Sequence, residues 1–575
     1  MRRRTFVAGL LGTAGAAALP RPVFAAPSLS ALWDELRGRI GSRLIPIQSP
    51  LVAAAKSGGV GADALFAALK NPYYLGDEPA LTQTLGWTDA WTSQPSLMAV
   101  AAESAVDIAA AVDVARKHGL RLVVKGGGHS YFGNSNAADS LLVWTRRMDK
   151  VELHDSFVAA GAPAGTAPQG AVSIGAGAIW GRVYDAVAAK AGRYVQGGGC
   201  LTVGVAGFTQ GGGFGSLSKQ FGTGAASLIE AEVVTADGRV RIANAHRDPD
   251  LFFALRGGGG GTFGVVTRLT MRTHILPSTI GAALFSVQAT SDQAWRALVE
   301  RIVAFYASDL FNPSWGEQLR FDPGRKLSVT MVCHSLSQAQ IEAVWRPFLA
   351  WIAERPADYR LASDPAFVAL PGKSFWNPEV LRSLPGLTLQ DPRPGASPDN
   401  LFWTGNLGEA GQVLHAYQSA WLPKQLLEPA RQPALVDALI AAADEWTVTL
   451  HVNKGLAGGT SEALAATAET AMSPQVLNAF ALLICAAEGP PAWTGIPGHE
   501  PDVADGRRDA AGVTRAMAPI RTLVPGAGAY VSEADYFQRD WKQAYWGEHY
   551  ARLAQVKRKY DPNNLFHGHQ TVEPA

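Results

Sequence analysis

Residues 197–224 read GGGCLTVGVAGFTQGGGFGSLSKQFGTG, eleven glycines in twenty-eight positions. Residues without side chains bury little apolar surface and lose much backbone freedom on folding. Such density makes sense where the main chain must closely approach a large planar or phosphorylated ligand. Two further glycine clusters accompany it. Lys125-Gly126-Gly127-Gly128-His129-Ser130-Tyr131 follows the β-rich run Leu120–Val124, and three glycines after a strand let amide N–H groups converge as an anion nest. Gly257–Gly261 leads into the strand-like stretch Thr262–Thr267. The first of these loops is not Gly-x-Gly-x-x-Gly, and no Gly-x-x-x-x-Gly-Lys-Ser/Thr occurs anywhere, so a Rossmann dinucleotide site and a P-loop are both poor fits.

The elements around the glycine loops are regular. Alanine-rich spacing predicts a helix from Ser104 to His118, stopped by Gly119. Leu228–Val234 and Arg239–Ile242 flank Ala236-Asp237-Gly238 as a hairpin. Farther on, β-rich runs such as Leu327–Val332 alternate with helical segments, Gln338–Ile352 and Pro433–Asp444 among them. The fold class is α+β, with an antiparallel sheet covered by helices in the middle of the chain.

Across 575 residues the net charge is +1 with no long basic run, which excludes nucleic-acid binding by phosphate neutralisation. Three cysteines exclude a disulfide scaffold, and no metal-ligand spacing is present. Cys333 and Cys485 read as core residues, with a disulfide between them open. Residues 1–26 carry Arg2-Arg3-Arg4, an apolar stretch and small residues at Ala25-Ala26, an export signal of twin-arginine character. No other stretch reaches the roughly 18 consecutive apolar residues of a membrane span.

Taken together, the segments resemble the FAD-linked oxidases of the vanillyl-alcohol oxidase type, and most closely the berberine bridge enzyme-like branch. The resemblance rests on Gly126-Gly127-Gly128-His129-Ser130, Gly199-Cys200-Leu201-Thr202-Val203-Gly204-Val205-Ala206-Gly207, Gly211–Gly215, Asp250–Gly259 and Lys559–Phe566. It implies a PCMH-type FAD-binding domain over 94–275, a substrate domain over 276–525, and a C-terminal segment, 526–575, returning to the flavin; residues 27–93 form an N-terminal segment. It further implies bicovalent FAD, with His129 on the 8α-methyl and Cys200 on ring carbon C6. Amides around Cys200 would favour its thiolate. Gly126, Gly127, Gly128, Ser130, Tyr131, Gly199, Thr202, Val203, Gly204, Gly207, Gly212, Gly213, Gly215 and Val266 complete the expected cofactor set. Val203 stands where the family's oxidases carry Val.

The expected reaction moves a hydride from an alcohol or sugar-lactol carbon to flavin, with dioxygen reduced to peroxide. A dehydrogenase using another acceptor and a flavin-bearing binding protein are the alternatives. The family's Tyr-x-Asn-Tyr-x-Asp segment aligns with Tyr530–Asp535, placing Glu533 where many members have Tyr. Glu533 is thus a candidate base, and Tyr530, Glu469 and His451 are further candidates; Lys454 either lines the pocket or ends a strand. Expected partners are a small alcohol or oligosaccharide and dioxygen, outside the cytoplasm.

Overall fold

The computed structural model describes residues 29–384 and 386–575. The leader read over residues 1–26 lies outside the described residues. Three sheets carry the architecture. The first orders Leu44–Pro46, Met98–Ala101, Ser140–Trp144 and Arg121–Lys125, the last three parallel. The second is antiparallel: Val240–Asn244, Leu228–Val234, Val265–Arg272, Gln169–Gly175, Val151–Phe157. The third has nine strands, ordered Tyr359–Pro371, Thr279–Ala289, Lys326–His334, Trp315–Asp322, Val448–His451, Ala479–Gly489, Gln412–Pro423, Thr84–Trp87 and Trp91–Thr92.

Local rules account for the elements that the sequence patterns predict. The helix Ala105–His118 begins in a capping box, Ser104 accepting from the Asp107 amide while Asp107 reaches back, and ends at Gly119 with φ +63. Helices Asp292–Phe305, Gln338–Ala353, Gln432–Glu445 and Val503–Leu523 bury Leu298, Trp345, Leu439 and Met517 in one apolar core with the large sheet. Cys333 and Cys485 lie in that core as free thiols, so the disulfide left open is not formed.

The N-terminal segment is not a separate unit. Leu44–Pro46 extends the first sheet, whereas Thr84–Trp87 joins the large sheet parallel to Gln412–Pro423. Between them Lys125, fully buried, donates from Nζ to the carbonyls of Leu75, Glu78 and Leu81 at 3.2, 2.7 and 2.5 Å. The residue before the first glycine loop thereby fastens the N-terminal chain over it. Among the described residues no helix is long and apolar enough to cross a membrane.

Candidate flavin site and active-site cleft

The parallel strand Arg121–Lys125 delivers the loop 126–131 at its C-terminal end, where open α/β sheets present ligands. This loop lies back to back with the loop after Cys200. A Cβ on Gly127 would stand 2.7 Å from the Gly204 amide nitrogen, and one on Gly204 would stand 2.7 Å from that of Gly127. No side chain fits either position, and glycine alone permits the approach.

That contact brings the two reactive side chains together. His129 Nε2 lies 3.3 Å from Thr202 Oγ1, and Cys200 Sγ lies 3.4 Å from the same oxygen. Thr202 is buried, while His129 and Cys200 are half-buried and line a common space. The open side is marked by Gly199 and Gly207, where an added Cβ would meet nothing within 4 Å. Protein packing does not demand glycine at those two positions, and both leave room beside the loop for a ligand. The residues present therefore fit a flat, phosphorylated cofactor such as FAD.

The other expected residues divide by what they touch. Gly126 faces the Ala176 carbonyl, and Gly128, at φ +77, faces the Lys125 side chain. Ser130 Oγ accepts from the amides of Phe132 and Asn134 at 3.3 and 3.4 Å, fixing the turn after His129. The Val203 carbonyl accepts from the Trp180 amide at 3.1 Å. Gly212, Gly213 and Gly215 instead press on protein: added Cβ atoms would come within 2.6 Å of Met472, 2.4 Å of Phe208 and 1.9 Å of the Gly197 carbonyl. Val266 is a core position, 3 % exposed and opposite Val233. For these four, protein packing accounts for the residue type.

Protonation is set largely by burial. It pushes the His129 imidazole down to about 4, against a small upward pull from the Thr202 backbone, so the ring is neutral near pH 7. Burial also pushes the Cys200 thiol up to about 11, helped by the Glu409 carboxylate and opposed by the Thr202 hydroxyl and the Thr202 and Val203 backbones. The expectation of a favoured thiolate is thus reversed: the amides are there, but desolvation outweighs them.

The facing wall comes from the large sheet and the C-terminal segment. The Glu533 carboxylate pairs with the Lys454 ammonium, and Ser419 Oγ donates to the Glu533 carbonyl at 2.6 Å. Tyr131 and Tyr417 meet at 5.1 Å beside them. Tyr530 is an anchor: its hydroxyl accepts from the Gly213 amide at 3.1 Å, and its ring stands edge-on to Phe214. Glu469 is exposed at the end of the helix Ser461–Ala468, which removes it from the candidate bases. His451 ends its strand opposite Gln318, with Nδ1 buried and unpartnered; burial and the Lys454 charge push its pKa well below the usual range.

Two carboxylates in this wall carry no sequence signal. Glu409 is exposed and accepts from Asn406 Nδ2 at 3.1 Å. Glu317 accepts from the Ser216 hydroxyl and from Asn453 Nδ2. Nearby, Trp403 Nε1 donates to the Gly199 carbonyl at 2.7 Å, tying the Glu409 loop to the Cys200 loop. The C-terminal segment holds the His129 loop from behind: the His569 amide donates to Asn134 Oδ1 at 2.9 Å, and the His569 ring stacks on Tyr536 at 3.6 Å. Metal-capable side chains also gather at His415, Asp505 and Asp509, but His415 is already bonded to Asp509 and Asp505 to Arg508, both at 2.7 Å.

Comparison with known proteins agrees with this geometry. Residues 96–244 match an FAD binding domain, and residues 529–573 match the berberine and berberine-like segment. The FAD-linked oxidoreductase easE of Arthroderma benhamiae is 32% identical over 480 residues, covering 82% of this chain and 87% of that protein. A VAO-type flavoprotein oxidase of Thermothelomyces thermophilus is 30% identical over 478 residues, 80% of this chain and 73% of that one. Among solved structures, a VAO-type flavoprotein of Myceliophthora thermophila C1 superposes with a TM-score of 0.75 at 23% identity, covering 96% of both chains. The glucooligosaccharide oxidase of Acremonium strictum, whose cofactor is a 6-S-cysteinyl, 8α-N1-histidyl FAD, superposes at 0.62 with 20% identity over 84% of this chain and 92% of that one. The chain is an enzyme of the VAO-type FAD-linked oxidoreductases, with the berberine-like C-terminal segment.

Proposed function

We propose that this flavoenzyme holds FAD by two covalent bonds, from His129 and Cys200, and oxidises an alcohol or sugar-lactol carbon with dioxygen as electron acceptor. The observation that carries the reading is the single Thr202 hydroxyl within hydrogen-bond reach of both His129 Nε2 and Cys200 Sγ. That shared contact supports attachment of both groups to one benzenoid ring, at C6 and at the 8α-methyl, two ring positions apart. Because Nε2 is turned to Thr202, Nδ1 is the ring nitrogen left for bond formation, and the imidazole is neutral as a nucleophile must be.

When bound, the flavin supplies a two-electron acceptor. The chain's own residues do the rest. Glu533 takes the proton of the substrate hydroxyl at its carboxylate oxygen. Lys454 fixes that carboxylate, and Ser419 fixes the backbone beneath it. Tyr131 and Tyr417 give a substrate ring an apolar wall. Val203, partly buried beside Thr202, stands where the family's oxidases carry Val, which supports dioxygen as the acceptor. The oligosaccharide oxidases among the structural relatives support a hydroxyl-bearing substrate, and the N-terminal sequence supports export before turnover. The test is a screen of oligosaccharides and aromatic alcohols, scored by anaerobic bleaching of the flavin and then by peroxide on admitting air. Bleaching with peroxide is expected; bleaching reversed only by an artificial acceptor contradicts the oxidase assignment, and failure of every alcohol to bleach contradicts the enzyme's substrate class.

A further inference from the structure

Glu317 stands out by its backbone. Among the described non-glycine residues with positive φ, Asp89, Asp139, Asp248, Arg325, Ser335, Asn564 and Gln570 occupy turns and loops, whereas Glu317, at φ +73, lies inside the strand Trp315–Asp322. Glu is not among the short polar residues that tolerate the left-handed region, so its side chain must be wanted there. Strain of this kind persists only where the surroundings over-determine it, and it gathers at functional sites.

The surroundings do over-determine it. Gly316 abuts the 211–216 loop so tightly that a Cβ would stand 2.1 Å from the Ser216 carbonyl oxygen. The Glu317 carbonyl accepts from the Val452 amide at 2.9 Å. Its Oε1 accepts from Ser216 Oγ, on the flavin side, and from Asn453 Nδ2 at 3.3 Å, on the substrate side. One residue therefore clamps the short segment 452–454 that presents Lys454, and ties it through Ser216 to the loop whose Gly213 is bonded to Tyr530.

We propose that Glu317 is a positioning residue, a strained carboxylate that holds Lys454 through Asn453 and sets the electrostatic setting of the Lys454–Glu533 pair. This rests on the reading of Glu533 as the base facing the flavin. Burial pushes the Glu317 carboxyl up, Ser216 and Lys454 pull it down and Glu533 pushes it up again, so Glu317 senses both members of the pair. The other groups that sense Glu533 are Glu409, Tyr131, Tyr417 and Tyr530.

The test uses the holoenzyme and needs no substrate. The visible flavin spectrum is titrated with pH in the wild type and in Glu317→Gln, Glu533→Gln and Glu317→Gly, and thermal midpoints are measured alongside. Glu317→Gln keeps an acceptor for Ser216 and Asn453 but removes the charge. Loss of the negative charge beside Lys454 should move the spectral step that disappears in Glu533→Gln to lower pH. Glu317→Gly relieves the backbone and should keep or raise the thermal midpoint while shifting the same step. Absence of any step lost in Glu533→Gln defeats the reading of the base. A step lost there but unmoved in Glu317→Gln overturns the present proposal, as does a fall in midpoint in both Glu317 variants with the step in place.

Discussion

The two walls of the cleft are built on different principles. The cofactor wall is main chain against main chain: Gly127 and Gly204 pack backbone on backbone, and the side chains that matter, His129 and Cys200, both reach Thr202 Oγ1. The facing wall is side chain against side chain. Glu533, Lys454, Glu317 and Glu409 come from four separate stretches of the large sheet and the C-terminal segment, held by a few charge-assisted bonds. The first wall tolerates no added atom where Gly127 and Gly204 meet, and so commits to one backbone shape. The second can exchange residues singly, because each member is held by its own side-chain bonds. A fixed cofactor bed with an adjustable substrate wall is how one scaffold serves many chemistries.

The sharpest way to break the comparison is Gly204→Ala. Its Cβ would overlap the Gly127 amide nitrogen, with only backbone to give way, so a loss of about 3 kcal/mol or more and little or no flavin incorporated is expected. A yellow, stably folded Gly204→Ala protein with an unchanged thermal midpoint would mean that the loops are not packed back to back.

A single change on the facing wall should spare the fold and strike the chemistry. Glu533→Gln is expected to retain bound flavin but reduce it on the order of a hundredfold more slowly, measured by stopped flow with any alcohol that bleaches the wild type. A reduction rate within twofold of wild type would take Glu533 out of the mechanism. Next in size is Val203→Leu: reoxidation by dioxygen should slow by about tenfold or more, with the rate of flavin reduction unchanged, since only access from one side is altered. Equal slowing of both half-reactions would assign Val203 to packing alone.

The smallest effect links the walls. In the proposed attachment the thiolate forms the second bond, and with burial pushing the Cys200 thiol up to about 11 the rate of cysteinyl attachment should rise about tenfold per pH unit below that value. The Glu409 carboxylate raises that pKa, and Glu409→Gln should therefore speed attachment a few-fold at neutral pH, followed by mass spectrometry during reconstitution. A pH-independent rate would show that ionisation of Cys200 is not the controlling step.

The sequence is legible to different depths on the two walls for the same reason. Glycine leaves an unmistakable trace when close approach requires it, and Gly127, His129, Cys200 and Gly204 all stand out by pattern. The helix after Ser104 and the hairpin around Asp237-Gly238 were legible because caps and turns are local. Gly212, Gly213 and Gly215 share the glycine signal, yet they serve contacts with Met472, Phe208 and Gly197 that only the tertiary structure supplies. Glu317 and Glu409 have no local signature: one is a strand residue whose partners Ser216 and Asn453 lie more than a hundred residues away, and the other lies in an irregular loop that the tertiary structure brings to the Cys200 loop. The Cys200 expectation failed on the same ground, since amides are visible in a glycine loop and desolvation is not.

Peptide mapping of the denatured protein tests the central claim most directly. After acid precipitation and proteolysis, the account predicts that no FAD is released and that one flavin links the peptides carrying His129 and Cys200, with the histidyl bond on Nδ1. Release of all FAD into the supernatant, or flavin on neither of those peptides, would contradict it.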